Sequence, residues 1–275
     1  MRTPRNRSEP IDSKRVRRWL RVFVGYKHSI SDESVRDWIG QFEMAHHDLA
    51  ARVLDVVQFF SHEQITAAFR SVLGGLEGWH RDEQNRQGKW RFTAYSASAG
   101  ESGDSMLHKF RHANNLSSSR YNDLFIHRSD LLRARLGRDD SVVLIDDFVG
   151  SGDQACASWR DQFGELLTEV GRIYLVVVAA RDAAITRIAT ETGLEVVPHH
   201  HLNASDNIFD GTCQHFTNDE QAHLLTYCQR ANSNAPRGHG DCGLVVVFAH
   251  GWPNNSIPVL HASNDDWEGL FRRYD

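Results

Sequence analysis

Asp146 and Asp147 follow the apolar run Val142-Val143-Leu144-Ile145 and precede Phe148-Val149 and the small-residue turn Gly150-Ser151-Gly152. Ionised oxygens in such a pair accept hydrogen bonds from vicinal hydroxyls and bind Mg²⁺ directly or through water. Glycines let backbone N–H groups approach an anion closely, Ser151 adds a hydroxyl, and a following helix would present unsatisfied donors. A twin acid beside an anion cradle suits a sugar phosphate, with the Gly150-Ser151-Gly152 turn as the cradle.

Those residues need a particular frame. The β-branched character of 142–146 predicts a strand buried on both faces, and its carboxyl end is where open α/β sheets bind ligands. The turn leads into an expected helix over 154–170. Further strands are expected over 90–96, 173–179, 195–198 and 244–250 with helices between several of them, which predicts a mainly parallel α/β sheet flanked by helices. Upstream, helical periodicity marks 13–23, 32–45, 48–60 and 61–73, with Ser31 and Ser61 as start signals. Glycines 74, 75 and 78 end the pattern, and 81–89 form a polar connector. The chain therefore divides into an N-terminal helical region, 1–78, and an α/β domain, 79–275.

Several alternatives compete for the acid pair. Asp-Asp after a strand also suits a helix-capping turn, a metal site in a response-regulator or phosphatase-like sheet, or a dinucleotide-fold loop. The dinucleotide reading wants a third glycine or alanine at a fixed offset and an acid about 20 residues on, which the chain does not supply. No Gly-x-x-x-x-Gly-Lys-Ser/Thr occurs, which counts against a P-loop hydrolase. His199, His200 and His201 are consecutive on an expected strand, so they alternate faces and do not converge on one metal. Cys156, Cys213, Cys228 and Cys242 lack a Cys-x-x-Cys spacing and read as reduced thiols.

The strand, acid pair and Ser-Gly turn together resemble the signature of type I phosphoribosyltransferases. By that resemblance Asp146 and Asp147 hold the ribose hydroxyls and any Mg²⁺, and 148–154 wraps the 5′-phosphate. A loop after the first core strand, with Ser98, Ala99, Gly100, Glu101, Ser102 and Gly103, would bind pyrophosphate. Arg111, in the basic group with His108, Lys109 and His112, is the expected phosphate fork. Gly150 stands where many purine salvage members carry an acid, so purine salvage loses support. Asp153 replaces a second glycine, and it either weakens phosphate affinity or caps the helix. The Asp-Asp-Phe-x-Gly-Ser-Gly form, the 242–258 ending, the 267–273 tail and Trp38-Ile39-Gly40-Gln41-Phe42 are similar to the bacterial phosphoribosyltransferase-like conflict-effector family, whose members accompany prokaryotic defence loci. The resemblance implies a phosphoribosyl pyrophosphate or nucleotide-like ligand, Mg²⁺, chemistry at ribose C1 and a defence-system partner protein or nucleic acid. The alternative is a non-catalytic nucleotide-sensing module whose helical region contacts nucleic acid or a partner. Asn254 and Asn255 follow the last strand, where they would either touch substrate or make a rigid turn with Trp252.

With 275 residues and 40% apolar content, the chain is able to bury a substantial core. A net charge of −5 excludes a surface that coats nucleic acid generally. Locally, Lys14, Arg15, Arg17, Arg18 and Arg21 form a basic face on the first helix, read as a solvated surface or as a partner contact. No apolar run approaches the roughly 20 residues that cross a bilayer, and the basic opening 1–7 is not followed by a signal-peptide core. A cytoplasmic protein without a membrane contact is expected.

Overall fold

The structure is a computed structural model that describes residues 11–95 and 102–272. In chain order its elements are α1 (Ser13–Val22), α2 (Asp32–Ile39), α3 (His47–Asp55), β1 (Gln58–Phe60), α4 (His62–Leu73), β2 (Trp90–Ala94), α5 (Ser102–Ala113), β3 (Ser141–Ile145) and β4 (Phe148–Val149). They continue with α6 (Asp153–Ser158), β5 (Arg172–Arg181), α7 (Asp182–Thr192), β6 (Glu195–Leu202), α8 (Asn218–Ala231) and β7 (Val246–Phe248). The chain forms two compact units: Met1–His62 with Ala204–Asp275, and Glu63–Asn203.

The 63–203 unit is built on a parallel sheet. β2 pairs β3, β3 and β4 pair β5, and β6 pairs β5, all in parallel. β3 lies against Arg172–Val176 and β4 against Ala179 and Ala180, so both run along one edge of β5 while β6 takes the other. All of β3 is buried, as a central strand covered by helices on both faces requires. On one face Val142, Leu144, Leu175 and Val177 pack with Phe163 and Ile188. Toward α5, Phe92 meets Phe110, and Phe110 in turn meets Phe69 of α4.

The other unit joins the first helices to the last third of the chain. α1 places Val16, Trp19 and Phe23 at helical spacing on a buried face. Phe23 and Tyr26 meet the ring of Phe271 at 5.0 and 5.2 Å. The indoles of Trp38 and Trp267 both donate to the Val259 carbonyl, at 2.7 and 3.0 Å. β1 and β7 form a separate two-stranded parallel sheet here.

The α/β class with a mainly parallel sheet and an N-terminal run of helices is as the sequence predicts. Four details differ. The helix expected over 48–60 ends at Asp55, because Gln58–Phe60 extends to pair β7. The helix expected over 32–45 stops at Ile39 before Gly40, and a short 3-10 turn covers Met44–His46. The helix expected over 154–170 is α for six residues and then widens into a π turn, Trp159–Phe163. The strand expected over 244–250 contracts to β7 and pairs β1 rather than the main sheet. The two units also divide the chain differently from a boundary after residue 78, since 204–275 packs with the first helices and all but the first residue of α4 belongs to the sheet's unit. No helix among the described residues is long and apolar enough to cross a membrane.

Candidate functional site

Asp146 and Asp147 occupy the two positions between β3 and β4, half-buried at the carboxyl end of a fully buried strand. Their backbone is fixed by β5. The Asp146 N–H donates to Val176 O at 3.1 Å, and the Asp147 carbonyl accepts from the N–H groups of Val178 (2.9 Å) and Ala179 (3.3 Å). The Asp146 carboxylate accepts from the Asp147 N–H at 2.9 Å. Constraint of this kind holds acidic oxygens in place without closing them off from a ligand.

The turn that follows is tightly organised. Gly152 adopts φ +85°, a left-handed conformation that disfavours any side chain, and its carbonyl receives the Cys156 N–H at 2.9 Å. The Ser151 hydroxyl donates to Asp153 Oδ2 at 2.7 Å and accepts from the Asp153 N–H at 3.3 Å. Arg187 of α7 closes the arrangement: its Nη1 lies 2.5 Å from Asp153 Oδ1 and 3.3 Å from the Ser151 carbonyl, and its Nε donates to Glu191 at 2.7 Å. Asp153 is thus neutralised by a cation from another helix. Phe148 is half-buried, Val149 and Gly150 are buried, and Gln154 is exposed.

Two further side chains feel the charge of the acids. Tyr95, directly after β2, donates its hydroxyl to the Ala155 carbonyl at 2.6 Å and packs its ring on Phe163 at 5.1 Å. Burial pushes that phenol well above its ordinary range, and the neighbouring Cys156 and Asp146 push it the same way, so it stays protonated. Lys109 of α5 is half-buried and has no hydrogen bond or ion pair among the described residues. Burial lowers its pKa from the ordinary value, while the Asp147 carboxylate pulls it back up. The sequence places both in view but singles out neither: Tyr95 lies inside the expected 90–96 strand, and Lys109 sits in the basic group.

Arg111, the residue chosen from that group, is engaged locally. Its guanidinium donates to the Leu116 carbonyl at 3.1 Å and to Asn122 at 2.6 Å, and it covers the Phe125 ring. Residues 109 and 111 sit about 200° apart around a helix, so the two cannot share one face. Ser98, Ala99, Gly100 and Glu101 lie outside the described residues; Ser102 and Gly103 begin α5. Asn254 and Asn255 belong to the other compact unit. Asn255 is buried and donates to the His239 carbonyl at 2.9 Å and to Cys242 Sγ, while the Asn254 carbonyl accepts from the His239 N–H. Trp252 there stacks on His261 with centroids 3.6 Å apart. This is the rigid-turn arrangement.

The histidine triplet lies on β6, an edge strand. His199 meets Ser71 at 2.8 Å and His201 meets Asp182 at 2.7 Å, so two of its rings have separate partners. The four cysteines are buried and none forms a disulfide. Among the described residues no group of three or more His, Cys, Asp or Glu could hold a metal ion on its own. Two hard, half-exposed carboxylates do fit an Mg²⁺ ion that keeps most of its shell as water and ligand oxygens.

Comparisons with known proteins bear on this arrangement. Residues 35–273 match the family model PRTase-CE, a phosphoribosyltransferase-like family. No curated protein matches the chain. Among solved structures, the AQ2163 protein from Aquifex aeolicus is similar at 11% identity and a TM-score of 0.32, over 62% of this chain and 83% of that one. Likeness at that level adds nothing to the reading of fold or ligand.

Proposed function

Because that match spans most of its length, the chain belongs to the PRTase-CE family and is phosphoribosyltransferase-like, and we propose that it is an effector of a prokaryotic defence system that binds a phosphoribosyl or nucleotide ligand and acts at ribose C1. The observation that carries this reading is the pair Asp146–Asp147, held by β5 at the carboxyl end of β3 with the Gly150–Gly152 turn directly after it. In this reading the two carboxylates accept hydrogen bonds from the 2′- and 3′-hydroxyls of the ribose, and the turn receives its 5′-phosphate. Bound Mg²⁺, held by Asp146 and Asp147 through water, would neutralise charge on a phosphate leaving group.

The bond between C1 and its leaving group breaks with the electron pair departing on that group, and an acceptor supplies a new pair to C1. Positive charge builds on the sugar meanwhile, and the fixed carboxylates oppose it without reorganising. Lys109 supplies a cation beside Asp147 for the departing anion. The test is product formation from labelled phosphoribosyl pyrophosphate and from candidate nucleotides, together with an untargeted metabolite comparison of cells making the parent and the Asp146→Asn, Asp147→Asn double variant. We expect a metabolite change that the folded double variant abolishes. Identical profiles and no turnover from the parent would overturn the enzymatic reading.

One observation favours a second reading, a nucleotide-sensing module that contacts nucleic acid or a partner protein. Arg15 and Arg18 are tied to Asp55, but Lys14, Arg17 and Arg21 stay exposed at helical spacing on α1. In that case the parent binds a nucleotide without consuming it.

A further inference from the structure

An acid inside a phosphate-binding turn is a chemical problem, because its carboxylate repels the anion that the turn is meant to hold. Here the problem has a local answer. Asp153 takes one hydrogen bond from the Ser151 hydroxyl and one from Arg187, through separate oxygens, at 2.7 and 2.5 Å. That is the two-point donor pattern that two oxygens of a phosphate monoester would accept. The guanidinium is shared with Glu191, yet its Nη2 makes no hydrogen bond among the described residues and the side chain is 41% exposed. Arg187 is thereby positioned from two sides while part of its fork still faces outward.

We propose that Arg187 is the residue that gives this turn its specificity for a phosphate monoester: it neutralises Asp153 while the turn is empty and presents its outward N–H groups to the ligand's 5′-phosphate when one binds. The proposal rests on the reading that the 150–153 turn receives that phosphate. Asp153 then acts as a built-in placeholder, competing with the ligand for Ser151 and Arg187 and keeping both oriented. Arg187 is a positioning and specificity residue and takes no part in bond breaking. A lysine could balance the charge but could not hold Asp153, Glu191 and a phosphate oxygen with one planar fork.

The experiment measures calorimetric binding of ribose 5-phosphate and of ribose, each with Mg²⁺, to the whole protein. The variants are Arg187→Ala, Arg187→Gln, Arg187→Lys, Asp153→Thr, the Arg187→Ala, Asp153→Thr double variant, and Asp146→Asn, Asp147→Asn. Loss of one charge-assisted contact predicts that Arg187→Ala and Arg187→Gln weaken ribose 5-phosphate binding roughly ten- to a hundredfold and leave ribose unaffected. Arg187→Lys should fall between them and the parent. Removing the acid as well should restore about tenfold, because the bare Asp153 carboxylate is the main obstacle left. Arg187→Gln keeps polar contacts at the turn and guards against simple loss of fold. The proposal is overturned if the double acid variant weakens ribose 5-phosphate while the Arg187 variants bind it like the parent, or if ribose suffers equally. If the parent binds no ribose 5-phosphate, the reading of the site falls first and this proposal with it.

Discussion

The main-chain N–H of Asp147 donates to the carboxylate of Asp146 at 2.9 Å, so the second acid of the pair fixes the first. The two carboxylates are consequently unequal. Asp146 is tethered and its charge acts on the Tyr95 phenol, whereas the charge of Asp147 acts on Lys109. Asp146→Asn keeps an oxygen to accept the tether and loses only charge, while Asp146→Ala also frees the backbone. Each Asn change should weaken ribose 5-phosphate binding about tenfold, with Asp146→Ala worse, and each should alter stability by under about 1 kcal/mol because both sites are half-exposed. Calorimetric titration alongside thermal unfolding separates the two effects.

Lys109 gives a pH signature. Its folded pKa lies below the ordinary 10.5, chiefly through burial. The unfolded chain therefore holds the proton more tightly, and folding pays its full desolvation cost at any pH below the folded value. That cost fades as pH rises from the folded value towards 10.5. Lys109→Met should raise the melting temperature at pH 7, with the gain shrinking as pH approaches 10.5, and should lower affinity for anionic ligands about tenfold. A melting series from pH 6 to 10.5 checks the first; a stabilisation that does not depend on pH would contradict the burial argument.

Gly152 is required by its backbone. At φ +85° an L side chain is strained by about 1–2 kcal/mol, although a Cβ there would meet Ile188 and Ala184 only at ordinary contact distances of 3.5 and 3.6 Å. Gly152→Ala should therefore lower the melting temperature by several degrees and weaken phosphate-bearing ligands together with it. Unfolding curves with and without ribose 5-phosphate report both.

α8 carries an acid-sensitive start. Thr217 and Glu220 form a capping box, and Arg52 of α3 holds Glu220 with its pKa lowered from 4.5 to about 2, first through that side-chain bond and then through the Thr217 N–H. A carboxylate with a depressed folded pKa stabilises above 4.5, and the contribution is lost as pH falls from 4.5 through about 2. Glu220→Gln should flatten the stability curve across that window, and Thr217→Ala should cost about 1 kcal/mol at neutral pH. Urea titrations at pH 7, 4.5 and 3 measure both.

Much of the sheet was legible because its strands are rich in apolar residues: 142–145, 173–179 and 195–198 all fall within strands, while Asp146 of the expected 142–146 strand lies just beyond β3. Pairing was not legible for 244–250, since its partner Gln58–Phe60 is a three-residue strand nearly 190 positions away and reads as a helix end. β4 is two residues long and hides in the turn. At the site, the acids and the turn stand next to each other in the chain, so their types and spacing were enough to propose them. Arg187 lies 34 positions beyond Asp153 and reaches it only because α6 and α7 pack together. Choosing between Lys109 and Arg111 needed the phase of α5 against the sheet, which periodicity does not supply.

The interleaving of the two units bears on the order in which the protein can form. Residues 63–203 emerge from the ribosome as an uninterrupted stretch containing every strand of the five-stranded sheet. α1 and α2 precede that stretch in the chain, yet Phe23, Tyr26 and Trp38 pack on Phe271 and Val259, which follow it. The half that carries the five-stranded sheet thus has the means to mature while the N-terminal helices still wait, apolar faces uncovered, for residues 204–272.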